Sequence, residues 1–166
     1  MNRRLLASLF LGAFLLLPGC LDSSSDGSAS AGPGQMSPTE LAWAQQVLDL
    51  VNVERANASL PPLAWHDPVS QVAYEHSVDM DVRNFFSHTN PDGDGPADRI
   101  TMAGITWTAA GENIAYGQQT PAVVMTDWMN SPGHRANILS PNYTHLGVGV
   151  HLAPGGPWWT QNFMAP

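Results

Sequence analysis

Residues 145–152, HLGVGVHL, alternate between large apolar side chains and everything else without a break. A strand turns successive side chains to opposite faces. Leu146, Val148, Val150 and Leu152 therefore share one face, and His145, Gly147, Gly149 and His151 share the other. Pro154-Gly155-Gly156-Pro157 supplies a turn, and WWTQNFM from Trp158 onward returns as a second strand, which makes a hairpin. Two glycines on one face leave bare backbone there. If a helix or ligand presses on the sheet at that point, Gly147 and Gly149 admit only glycine. Trp158 and Trp159 alternate on the returning strand, so one faces the helices and the other the opposite layer or solvent.

The first half of the chain reads with a helical period instead. Ser37 caps, Pro38 suits the first helical position, and Glu40 completes a capping box. Leu41, Leu48 and Val51, with Ala44 and Val47, mark one face of a helix that fades near Asn57. Asp67-Pro68 opens a second helix with a stripe of Val69, Val72, Ala73, His76 and Met80. His76 thus points inward, where the reading prefers a hydrogen-bonded core residue to a ligand. A short helix over 97–103 ends at Gly104, and Thr120-Pro121 opens another that runs to about Asn130. Ser131-Pro132-Gly133 then starts a short helix with His134 in its first turn, and a third strand is expected over Glu112–Tyr116. Helices around an antiparallel sheet predict an α+β sandwich.

The N-terminus has another character. Arg3 and Arg4 precede an apolar run from Leu5 to Leu17, shorter than the roughly 20 residues that span a bilayer but suited to an export signal. Leu17-Pro18-Gly19-Cys20 resembles the lipobox of bacterial lipoproteins, which implies cleavage before Cys20 and a lipid on its thiol. The alternative is a secreted protein that discards Cys20 with its signal. Cys20 is the only cysteine, so no intrachain disulfide is available. The expected organisation is a signal over 1–19, a lipidated Cys20 and flexible tether over 20–37, and one folded domain over 38–166. The tether LDSSSDGSASAGPGQMS reaches roughly 20–25 Å as a random coil. Without the signal, four basic residues face fourteen acids, a net charge of −10 with no lysine. Such a surface repels phosphates, so neither nucleic acid nor anionic headgroups are expected partners.

FFSHTNPDG (85–93), GENIAYG (111–117), WMNSPGHRANIL (128–139), YTHLGVGV (143–150) and WTQNF (159–163) occur in order, preceded by LDLVNVERANASLPPLAW (48–65). Together they resemble the bacterial branch of the CAP superfamily, which includes cysteine-rich secretory, antigen-five and pathogenesis-related proteins. The resemblance implies a three-layer α-β-α sandwich with a central antiparallel sheet and a cleft over it. It implies that His88, His134 and Glu112 gather in that cleft with Asn113 and Ser131 beside them. It also implies that His88 and His134 can hold zinc or another divalent metal. The second acid of the animal members falls at Ser131, which leaves the tetrad incomplete. Asp127 lies one turn earlier on the helix and is a candidate substitute, not the preferred reading.

Two neutral imidazoles suit zinc, and a carboxylate that accepts the second ring N–H of one of them would fix its tautomer. The bland reading of the same residues is a polar cluster that ties three loops together. Ser87 and Ser131 lack a nucleophile-elbow context, which argues against a serine hydrolase. Asn90, Asp92 and Asp94 partly match a calcium loop, but Thr101 stands where the bidentate glutamate belongs.

The functional expectation is a non-enzymatic binding domain in the bacterial cell envelope, facing outside the cytoplasm on a lipid anchor. Its cleft would take a lipid, sterol or other small amphiphile, or a protein partner. The competing class is a peptidase-like, metal-dependent hydrolase with Glu112 as general base. The third is a surface interaction protein with a vestigial cleft.

Overall fold

The structure, a computed structural model, describes residues 34–166. The expected signal, the lipid-bearing Cys20 and the tether up to residue 33 lie outside the described residues.

Helix α1 (Pro38–Asn57) starts with the capping box its sequence spells. The Ser37 hydroxyl accepts from the Glu40 amide, and the Glu40 carboxylate accepts from the Ser37 amide at 2.7 Å. Its buried face is Glu40, Ala44, Val47, Val51 and Arg55. Leu41, expected on that face, is 38% exposed. The inward stripe includes two charged residues because each finds partners inside. Glu40 also accepts the Leu152 amide at 2.8 Å, and Arg55 donates to the carbonyls of Pro61, Ile138 and Ser140. Periodicity of apolar residues alone cannot register polar groups that are buried because they are satisfied.

A two-residue strand β1 (Ala64–Trp65) follows, then α2 (Asp67–Val82), capped by the His66 ring through the Val69 amide. Next come α3 (Pro96–Met102), β2 (Ala109–Tyr116), α4 (Pro121–Asn130), α5 (Pro132–Ile138), β3 (His145–Ala153) and β4 (Gly156–Ala165). The strand order is β1-β3-β4-β2. β3 and β4 form the expected hairpin, and β2 lies antiparallel to β4. β1 pairs parallel with β3, so the sheet is mixed at that end rather than wholly antiparallel. Two residues are too few to carry an alternation, which is why this strand left no sequence signal.

The alternation of β3 sorts the layers. Leu146, Val148 and Val150 join Ala44, Val47 and Val51 of α1, Val124 and Trp128 of α4 and Ile138 of α5 in one core. On the other face α2 lies directly against the glycines. A Cβ on Gly147 would stand 2.3 Å from the Ser70 amide nitrogen, and one on Gly149 would stand 2.1 Å from that of Tyr74. The Ser70 hydroxyl fastens this close approach by donating to the Val148 carbonyl at 2.6 Å. On β4, Trp159 stacks on Trp43 at 5.5 Å, whereas its neighbour Trp158 packs with Met80 and Ile114 on the α2 side.

Strand β2 lies at the edge of the sheet, and side chains cover its outer carbonyls. Ala110, Glu112 and Ile114 accept from the Tyr143 hydroxyl (3.3 Å), the Asn137 amide (3.0 Å) and the Trp128 indole (3.3 Å). This closes the edge to further strand pairing as far as Ile114. The candidate site opens at the remaining end, around Tyr116.

Candidate functional site

A cleft of about 890 Å³ runs beside the end of β2, between the 86–89 loop and the α4–α5 corner. Its volume is that of a small-molecule site. Ile114, Ala115 and Trp128 line its apolar part, and His88, Ser131 and His134 bring polar atoms to it. The sequence thus places His88 and His134, from distant loops, on one hollow.

Glu112 sits behind His88 rather than in the cleft. It projects from β2 toward the α2 and α3 side, with 1% of its side chain exposed. Arg99 Nη2 of α3 donates to Oε2 at 2.6 Å, and His88 Nδ1 meets Oε1 at 2.8 Å. The same guanidinium donates through Nη1 to the carbonyls of His88 and Asp94. Arg99 therefore grips the His88 loop by its backbone and by the carboxylate that orients its ring. With Nδ1–H donated to Glu112, His88 keeps the lone pair on Nε2. Half of the His88 side chain, 51%, is exposed.

His76 supports this loop from below. Burial pushes its pKa under the ordinary value of 6.5, against the opposing pull of Glu112, whose Oε1 lies 3.9 Å away. The neutral ring donates Nε2–H to the Ser87 carbonyl at 3.0 Å. The inward histidine of the α2 stripe is thus a hydrogen-bonded core residue that positions the neighbour of His88.

His134, in the first turn of α5, is half-buried, and burial followed by the nearness of His88 pushes its pKa down. Both effects favour the neutral ring. Asn113, expected in the cleft, does not line it. It follows Glu112 on the strand and so points to the other face, where it is fully buried. There its Nδ2 donates to the His134 carbonyl (3.1 Å) and to Gln161, and its Oδ1 accepts from Asn137. It fixes α5 from beneath. Ser131 occupies the N-cap position of α5 without using its hydroxyl as a cap, and it lines the cleft. Asp127 also lines the cleft and accepts from Gln118 at 3.0 Å.

The donor set fits a divalent metal only in part. His88 Nε2 and the neutral His134 supply two imidazole donors, but among the described residues no group of three or more His, Cys, Asp or Glu converges as a metal site. Any ion there would complete its coordination with water or ligand atoms. For serine chemistry the geometry is poor. Among the described residues neither Ser87 nor Ser131 has a hydrogen bond to an imidazole, and Ser87 Oγ instead accepts the Thr89 amide at 3.2 Å. The Asn90 loop satisfies itself. Asn90 Oδ1 accepts the amides of Asp92 and Asp94, Asp92 pairs with Arg83, and Asp98 accepts the Gly95 amide.

Arg99 and His76 were not among the residues expected at the site.

The model of the cysteine-rich secretory protein family, CAP, matches residues 48–163. The uncharacterized protein YkwD of Bacillus subtilis (strain 168) is 45% identical over 123 residues, covering 74% of this chain and 47% of its own length. The crystal structure of an extracellular protein containing a SCP domain from Bacillus anthracis superposes with a TM-score of 0.73 at 37% identity, covering 82% of this chain and 45% of the other. An outer surface protein of Borrelia burgdorferi shares the fold, with a TM-score of 0.68 at 20% identity over 72% of this chain and 90% of its own. The chain spans about half the length of YkwD and of the Bacillus anthracis protein. With the matching motifs and the three-layer sandwich already in place, the chain belongs to the cysteine-rich secretory protein (CAP) family.

Proposed function

We propose that this chain is an extracytoplasmic binding domain, held at a membrane by a lipid on Cys20. Its cleft takes a small amphiphile, such as a lipid or sterol, or a segment of a protein partner. His88 and His134 can additionally hold a zinc-like divalent ion, which would offer a bound ligand a Lewis-acid point of attachment.

The observation that carries this reading is the engagement of Glu112. A general base must have a free oxygen in reach of the water it deprotonates. Here Arg99 occupies one oxygen, His88 occupies the other, and the side chain is buried away from the cleft. Glu112 is placed to orient His88, not to move a substrate proton. The rest of the cleft is an apolar wall with a few convergent polar groups, the usual make-up of a binding site.

Titration with a fluorescent acyl amphiphile, with and without zinc, tests the proposal. Binding should weaken in His134→Ala and in Ser131→Trp, which fills the cleft. Saturable hydrolysis of a peptide or ester by the wild type, abolished by His134→Ala, would overturn it in favour of the hydrolase. For the tether, Cys20→Ser should move the protein from the membrane fraction to the soluble fraction. Unchanged fractionation would remove the lipid anchor from the account.

A further inference from the structure

Two large aromatic residues on the cleft wall are exposed, and neither the histidines nor an apolar core accounts for them. Phe86 is 57% exposed and Tyr116 is 43% exposed, and both line the cleft. They are not loosely placed. The Tyr116 ring lies on Trp158 with centroids 4.1 Å apart, and its hydroxyl donates to the Gly155 carbonyl at 2.8 Å. Phe86 flanks the same indole at 6.3 Å. Trp158 is itself fixed, since its Nε1–H donates to Asp81 at 3.1 Å. The result is a rigid aromatic surface open to solvent, with its ordering entropy already lost in folding.

We infer that this surface and the polar wall beside it form a subsite for a neutral, β-linked oligosaccharide. This rests on the reading of the cleft as a binding site and names a ligand class for it. A pyranose with equatorial substituents has a flat face of C–H groups and a rim of hydroxyls. The C–H face suits the negative face of an aromatic ring. The hydroxyl rim needs donors and acceptors that hold fixed directions, and the cleft supplies them. Asp127 has one oxygen engaged by Gln118, His88 Nε2 carries a lone pair, and among the described residues neither the other Asp127 oxygen nor the Ser131 hydroxyl has a hydrogen-bond partner. Charge narrows the class further. With a net charge of −10 after the signal, the surface disfavours a sulfated or uronic-acid polymer. A quaternary ammonium head would need an enclosure of Phe, Tyr or Trp faces on several sides, whereas among the described residues Phe86 and Tyr116 are the exposed ones of those types lining this cleft.

Calorimetric titration of the full chain with the β-1,4 tetramers of glucose and of N-acetylglucosamine tests the inference. At least one should bind. Tyr116→Phe keeps the ring and should stay within about two-fold of wild type, whereas Tyr116→Ala and Phe86→Ala should each lose roughly ten-fold or more, equivalent to about 1.4 kcal/mol. Phe86 is mostly exposed, so its variant folds even if loss of Tyr116 disturbs Trp158. Wild-type binding that both alanine variants retain would overturn the aromatic platform. No sugar binding, with the acyl amphiphile still bound and displaced by Ser131→Trp, would overturn the glycan class and leave the amphiphile reading intact. Failure of both probes would overturn both.

Discussion

A single added methyl tests how the sandwich is held together. Gly149→Ala puts a Cβ at 2.1 Å from the Tyr74 nitrogen and 2.3 Å from the Ala73 carbonyl carbon. The first contact is about 1.3 Å inside the 3.4 Å at which ordinary contact begins. Both obstructing atoms are helix backbone, so no rotamer change relieves the clash. The helix must lift, and lifting stretches the Ser70–Val148 bond (2.6 Å) and the Ser77–Thr160 bond (2.8 Å), both buried. Overpacking of this kind costs about 1–3 kcal/mol even where side chains can adjust, so a backbone clash should reach at least the upper end, about 3 kcal/mol. Gly133→Ala is the matched control. It lies in α5 with nothing within 4 Å of the added Cβ, and should be neutral or stabilising by about 0.5–1 kcal/mol. Urea denaturation followed by tryptophan fluorescence gives both values, provided the slope is unchanged. If Gly149→Ala stays within about 1 kcal/mol of wild type, α2 does not rest on bare β3 backbone, and the layer order argued from the alternation is wrong.

Three further outcomes follow from the buried polar node. Arg99→Met leaves the Glu112 carboxylate buried with only the His88 and His76 imidazoles beside it and should cost about 3–5 kcal/mol, and adding Glu112→Gln should restore part of that loss. Strict additivity in that double-mutant cycle would mean that the 2.6 Å pair does not couple the two side chains. His76 and His134 both have folded-state pKa values pushed below 6.5 by burial, so the unfolded chain takes up protons first as pH falls. Their contribution is intact above pH 6.5 and is lost as pH drops below it toward their folded values. The urea midpoint should therefore decline below that pH, less steeply in His76→Gln, whose amide can still donate to the Ser87 carbonyl. A midpoint that rises on acidification would contradict the neutral assignment of both rings.

Much of the fold was legible because its rules are local. Ser37, Pro38 and Glu40 announce α1 by capping chemistry, and the 145–152 alternation separates the two faces of β3. What the sequence hid was non-local. Leu41 looked like core because it is apolar and helix-spaced with Ala44, Leu48 and Val51, yet it is Glu40 that turns inward, drawn by a backbone amide on β3, 112 residues away. β1 was too short to show a period, and β2 begins at Ala109 rather than Glu112, its first residues small and without alternation.

At the site, the family motifs brought His88, Glu112 and His134 into view, but not their division of labour. Adjacent residues on a strand face opposite layers, and neither Glu112 nor Asn113 lines the cleft itself. Here Glu112 orients His88, and Asn113 anchors α5. The exposed aromatics were hidden for a different reason. Phe86 and Tyr116 look like core residues in any composition, and only fractional exposure separates a platform from packing.

The claim on which the site depends is that Glu112 holds the proton of His88 on Nδ1 and leaves Nε2 bare toward the cleft. Nitrogen-15 NMR of histidine-labelled protein near pH 7.5 reads this directly. The account predicts a protonated Nδ1 and an unprotonated Nε2 for His88, and a shift of the His88 and His134 ring nitrogens alone when zinc is added. A proton on Nε2 of His88, with both rings unmoved by zinc, would contradict it.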